Sequence, residues 1–151
     1  MTPNARPTVA WDSVRSGDAL TSLTIDVTAT VIVAGAIATR DFMPVHHDRA
    51  YAQSQGAPDI FSNILSDTAY CSRFLTDWAG PDAVIRRLAI RLGVPVHPGD
   101  VLTYTGTVTG TAIVGGEGVV EIGFRATHQR GDHLTGTAEV GLPVDAAAAD
   151  S

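Results

Sequence analysis

The chain has 151 residues, 44% of them apolar and 17% charged, with a formal charge of −6 and a pI of about 5.1. That is the length of a single domain spanning 1–151, able to bury roughly two-thirds of its unfolded surface. The acidic balance supplies no basic stripe, so nucleic acid and anionic membrane are excluded as partners.

No apolar run approaches the ~20 residues that span a bilayer, and residues 1–18 carry no signal-peptide core. The single cysteine, Cys71, rules out an internal disulfide framework and fits a reducing, cytoplasmic setting. The composition is slightly greasy for this size, which points to apolar surface covered by another subunit.

Residues 1–10 and 145–151 read as loosely ordered ends. Trp11 is placed to pack the N-terminal segment onto the rest of the fold. The stretch 19–29 alternates Leu20, Leu23, Ile25 and Val27 with polar residues and predicts a strand. Over 30–41 the β-branched residues suit a strand, whereas Ala34, Ala36 and Ala38 permit a helix ending near Arg40; the helix is preferred. A short helix follows over 47–56, closed by Gly56.

The longest helical pattern runs over 59–80, with Ile60, Ile64, Leu65, Thr68, Cys71, Leu75 and Trp78 near a 3.6-residue spacing and Gly80-Pro81 as its stop. Strands are then predicted over 83–96, 99–114, 118–130 and 132–144. Gly115-Gly116 and Gly131-Asp132 serve as hairpin turns. The order predicts an α+β fold, a sheet wrapped around one apolar helix.

Asp41, His46, His47 and Asp48 crowd into "RDFMPVHHDR". Adjacent histidines diverge on any regular element, and no metal-ligand spacing is present, so no metal site is expected. Asp48 or His47 suits the start of the helix that follows. Asp41 and His46 differ. Pro44 stiffens a non-helical link between them, which can aim a carboxylate and an imidazole at one point and make an acid/base pair. Such a pair polarises water and returns a proton without a cofactor.

"RDFMPVHHD" resembles the Asp-x-x-Pro-x-His core of the MaoC-like (R)-specific enoyl-CoA hydratases, which have the hot-dog fold: a long central helix wrapped by a curved antiparallel sheet. With "DIFSNIL", "LTDWAGP" and "AIRLGVPV" in the same order, the chain is most similar to the small MaoC-type subunits of actinobacterial steroid side-chain enoyl-CoA hydratases. The resemblance implies water addition to a 2-enoyl-CoA, with Asp41 and His46 catalytic and CoA as part of the substrate. It implies a second MaoC-like subunit or a homodimer. It also places Ser62 and Asn63 at the thioester-binding start of the central helix, where the family has His-Gly.

The chain departs from the family motif at Gly35, Thr39, Arg40 and Met43, where Tyr, Ser, Gly and Asn are usual. Arg86, Arg87 and Arg91 are cationic candidates for holding CoA, though a solvated sheet face accounts for them more simply. Ser62 lies in no nucleophile elbow, which disfavours a serine hydrolase. Cys71, Phe74 and Trp78 read as helix packing. Two other functions fit a hot-dog chain: an acyl-CoA thioesterase, which needs no His beside its carboxylate, and a non-catalytic subunit that completes a partner's pocket.

Overall fold

The computed structural model describes residues 7–144. In chain order it holds β1 (Leu23–Asp26), α1 (Ala29–Ala38), a 3₁₀ turn (Pro44–His46), α2 (Arg49–Ser54), α3 (Ile64–Ala79), β2 (Val84–Leu92), β3 (Val101–Val114), β4 (Glu117–His128) and β5 (Gly131–Leu142). The strands form one sheet in the order β1-β3-β4-β5-β2, each neighbouring pair antiparallel. The sheet curls around α3, which is the hot-dog arrangement of the α+β class. No helix among the described residues is long and apolar enough to cross a membrane.

The helix at the centre is amphipathic for a simple reason. Asp67, Cys71, Phe74, Leu75 and Ala79 recur at three- and four-residue steps and are buried, while Arg73, Thr76 and Asp77 face out. Opposite them, β4 alternates buried Val120, Ile122, Phe124 and Ala126 with exposed Glu121 and Arg125.

The curl has a local cause. Phe124 stands in register between Gly106 on β3 and Gly136 on β5. A Cβ on Gly136 would lie 2.3 Å from the tip of the Phe124 ring. The missing side chains leave room for that ring beneath Phe74, whose centroid is 6.1 Å away. Register shifts at Ile85/Arg87, Val108/Gly110 and Ala126/Thr127 add local bend.

Several sequence expectations change at their edges. The strand expected over 19–29 pairs only over Leu23–Asp26, with an isolated bridge at Ala19. The long helix begins at Ile64 because Asn63 caps it, which leaves Ile64 and Leu65 each 51% exposed rather than on the core stripe. Of the ends expected to be loose, 1–6 and 145–151 lie outside the described residues. Residues 7–10 are fastened instead. The Val9 N–H donates to the Ala79 carbonyl at 2.8 Å, and the Thr8 hydroxyl donates to Asp82. Trp11 follows and lies flat over Gly118, where a Cβ would come within 2.3 Å of its ring.

Arg86 and Arg87 pair with Glu117 and Glu139 on the exposed sheet face, the solvated role expected for them.

Candidate active site

Asp41 owes its position to how α1 ends. The Arg40 N–H bonds the Ile37 carbonyl at 3.1 Å and the Asp41 N–H bonds the Ala36 carbonyl at 2.9 Å. Arg40 itself is left-handed, at φ 58°. This is a Schellman ending, the motif that normally places glycine at the left-handed residue. It turns the chain sharply, so that Asp41 leaves the helix pointing at the next segment. Arg40 occupies the position where the resembled family has Gly, and it keeps the backbone shape at a cost in strain.

Pro44 opens the 3₁₀ turn that delivers His46. The His46 ring is buried, with Nδ1 2.7 Å from the Phe61 carbonyl and the Phe61 ring edge-on at 5.1 Å. A carbonyl only accepts, so Nδ1 carries the hydrogen and Nε2 is left for chemistry. Nε2 stands 3.4 Å from Asp41 Oδ2. At that distance no water fits on the line between the two atoms. A water touching both would sit to one side, on the open face where the Asp41 side chain is 24% exposed.

His47 turns away, its Nε2 toward the Phe42 carbonyl, and Asp48 caps α2 by accepting from the Tyr51 N–H. The expected capping role falls to Asp48, and His47 stays exposed outside the helix.

Asn63 does more than the sequence suggests. Its Oδ1 accepts from the Ser66 N–H and caps α3, while Nδ2 donates to Thr39 Oγ1 at 2.8 Å and to Asp41 Oδ2 at 2.9 Å. The Asn63 amide donor holds the Asp41 carboxyl below its usual range; burial opposes this, and the Met43 N–H and His46 add to it. Among the described residues the Asn63 backbone N–H has no acceptor. Ser62 is turned inward: its hydroxyl donates to Asp67 at 2.7 Å and its N–H to the Val96 carbonyl. Its donors are therefore engaged within the fold.

Thr39, the Phe61 carbonyl and Asp67 belong to the site's framework, yet the sequence marks none of them as such. The one available signal was that Thr39 keeps a hydroxyl where the family motif has Ser. Around the opening, Ile37, Phe42, Met43, Ile64 and Leu65 are each more than half exposed. These are large apolar side chains beside a polar site.

A curled sheet around a capped helix, with an Asp/His pair at the helix N-terminus, defines a hot-dog protein of the MaoC type. No protein-family model matches the sequence. The 3-oxo-4,17-pregnadiene-20-carboxyl-CoA hydratase beta subunit of Mycobacterium tuberculosis is 45% identical over 113 residues, covering 75% of this chain and 84% of that one.

Among solved structures, the ChsH1-ChsH2 complex from Mycobacterium tuberculosis superposes with a TM-score of 0.79 at 43% identity, over 85% of this chain and 98% of that one. An (R)-hydratase from A. caviae involved in PHA biosynthesis gives 0.77 at 25% identity, over 87% and 98%. The chain belongs to the MaoC-like enoyl-CoA hydratase family, with the steroid side-chain hydratase beta subunits.

Proposed function

We propose that this chain is the catalytic small subunit of a cytoplasmic enoyl-CoA hydratase. It adds water across the double bond of a 2-enoyl-CoA carrying a steroid side-chain acyl group. The observation that carries the reading is the Asp41–His46 pair: a carboxylate fixed by Asn63 and an imidazole with Nε2 free, 3.4 Å apart beside the N-terminus of α3. The 45% identical hydratase subunit supports the steroid acyl group.

In this mechanism the thioester oxygen lies against the free N–H groups at the start of α3, Asn63 first among them. Water bound by Asp41 and His46 adds to the β-carbon. His46 Nε2 takes its proton, the Asp41 carboxylate stabilises the imidazolium, and the same proton passes to the α-carbon. Negative charge builds on the thioester oxygen as the enolate forms, where helix amides are most effective. The net change is one water added and nothing oxidised or reduced, so the proposed steps need no redox cofactor.

The exposed apolar rim of Ile37, Phe42, Met43, Ile64 and Leu65 suits cover by a second MaoC-like subunit and the steroid rings together. A heteromer is the assembly we favour, since a 43% identical chain was solved in a complex.

The test is loss of enoyl absorbance with a steroid 2-enoyl-CoA, using the chain with its large subunit. Asp41→Asn and His46→Gln should each lower kcat roughly a hundredfold or more. Wild-type rates in both variants would move catalysis to the partner and leave this chain a completing subunit. Thiol release without loss of the double bond would make it a thioesterase.

A further inference from the structure

A second Asp/His pair lies beneath the start of α3, and the hydration chemistry does not use it. Asp67 is 1% exposed and His133 is 3% exposed. His133 Nδ1 lies 2.9 Å from the Val94 carbonyl, so Nδ1 carries a hydrogen. Its Nε2 stands 3.2 Å from Asp67 Oδ1. With both ring nitrogens protonated, His133 balances the Asp67 carboxylate as an ion pair, and His133 Nε2 and Asp67 Oδ2 have no hydrogen-bond partner among the described residues.

The same Oδ1 accepts from the Ser62 hydroxyl at 2.7 Å, in the range of charge-assisted bonds. Ser62 sits between Phe61, whose carbonyl holds His46, and Asn63, whose amide holds Asp41. One part-buried hydrogen bond thus anchors both holders of the candidate catalytic pair.

We infer that Asp67 is a positioning residue for the hydration reaction: through Ser62 it fixes the Phe61–Asn63 segment that aims His46 and Asp41, while His133 supplies the proton that neutralises it. This rests on the hydratase reading above. Neutralisation matters because Asp67 occupies the first turn of α3. An unbalanced carboxylate there opposes the negative charge that develops on the thioester oxygen at the same helix end.

Other groups face the pair. His128 on β4 has its ring 6.4 Å from that of His133, and Asp100, just before β3, is bonded by Arg130 and Gln129. Tyr104 on β3 and Cys71 on α3 are neutral neighbours whose ionisation is pushed up, first by burial. Burial pulls the His133 pKa down, but Asp67 and the Val94 carbonyl outweigh it and hold the value above the usual 6.5. His133 therefore keeps its second proton to higher pH than a free imidazole and loses it as pH rises further, which adds an alkaline limb to kcat.

The experiment uses the intact complex. Ser62→Ala should lower kcat about tenfold with KM little changed, and Ser62→Thr, which keeps the hydroxyl, should restore it. Asp67→Asn should abolish the alkaline limb, because no charge then appears. The ring ¹⁵N signals of His46 should shift in Ser62→Ala and return in Ser62→Thr.

Wild-type kcat together with unmoved His46 signals in Ser62→Ala, or an alkaline limb that persists in Asp67→Asn, overturns the inference. If the wild-type complex hydrates no enoyl thioester and yet the His46 signals shift, the positioning stands and the hydratase reading falls.

Discussion

Asn63 joins the cap of α3 to Asp41 through one side chain: Oδ1 takes the Ser66 N–H at 3.0 Å and Nδ2 gives a hydrogen bond to Asp41 Oδ2 at 2.9 Å. The helix end that faces the thioester in the proposed mechanism and the carboxylate that acts there are therefore placed by the same residue. A shift of one carries the other with it.

Asn63→Ser separates the two tasks. Serine retains an oxygen that caps the helix but has no amide to give Asp41. Asp41 is now held below the usual 3.8, so it stays ionised to lower pH. Without the donor it protonates at higher pH as pH falls. A ¹³C NMR titration of the Asp41 carboxyl in the complex measures this; a midpoint that stays in place would show that Asn63 does not tune the carboxylate. Asn63→Ala should show the same shift and also lose about 1 kcal/mol of stability with the cap.

Arg40 carries strain that glycine would relieve. A side chain in the left-handed region costs roughly 1–2 kcal/mol, partly offset by the greater freedom of glycine in the unfolded chain. Arg40→Gly should therefore stabilise the protein by about 0.5–1 kcal/mol and raise Tm by about 2 °C. Thermal unfolding by circular dichroism reads it. An unchanged or lower Tm means that the Arg40 side chain contributes contacts that outweigh the strain.

Gly136 tests the origin of the curl. Its added Cβ would meet Phe124 at 2.3 Å and the Ala89 carbonyl at 2.9 Å. Gly136→Ala should destabilise by about 1–3 kcal/mol through overpacking. Phe124→Leu in the same chain should recover part of that loss, because the ring is one of the two obstacles. Denaturant midpoints of the two single variants and the double variant decide it.

Cys71 should be chemically silent in the folded protein. It is fully buried, and burial, with Asp67 adding to it, pushes the thiol up to about 12. A thiol reagent such as an aromatic disulfide should titrate it only after denaturant is added. Rapid labelling of the native chain would mean that α3 opens locally.

Much of this molecule is written in neighbouring residues. Alternation in β3, β4 and β5 and the 3.6-residue pattern of α3 yield the element order, because each element's buried face repeats along the chain itself. The meeting of Asp41 and His46 is legible for the same reason: a short link stiffened by Pro44 leaves few ways to point them apart.

The tertiary structure decided the rest. That Ile64 and Leu65 lie outside α3's core face depends on where the Asn63 cap starts the helix, and that start is set by Thr39 and Asp41 from an earlier segment. The Asp67–His133 pair joins a helix to the last strand. Neither residue's own surroundings in the sequence announce the other, since the energy of burying a charge is fixed only by what the fold brings against it.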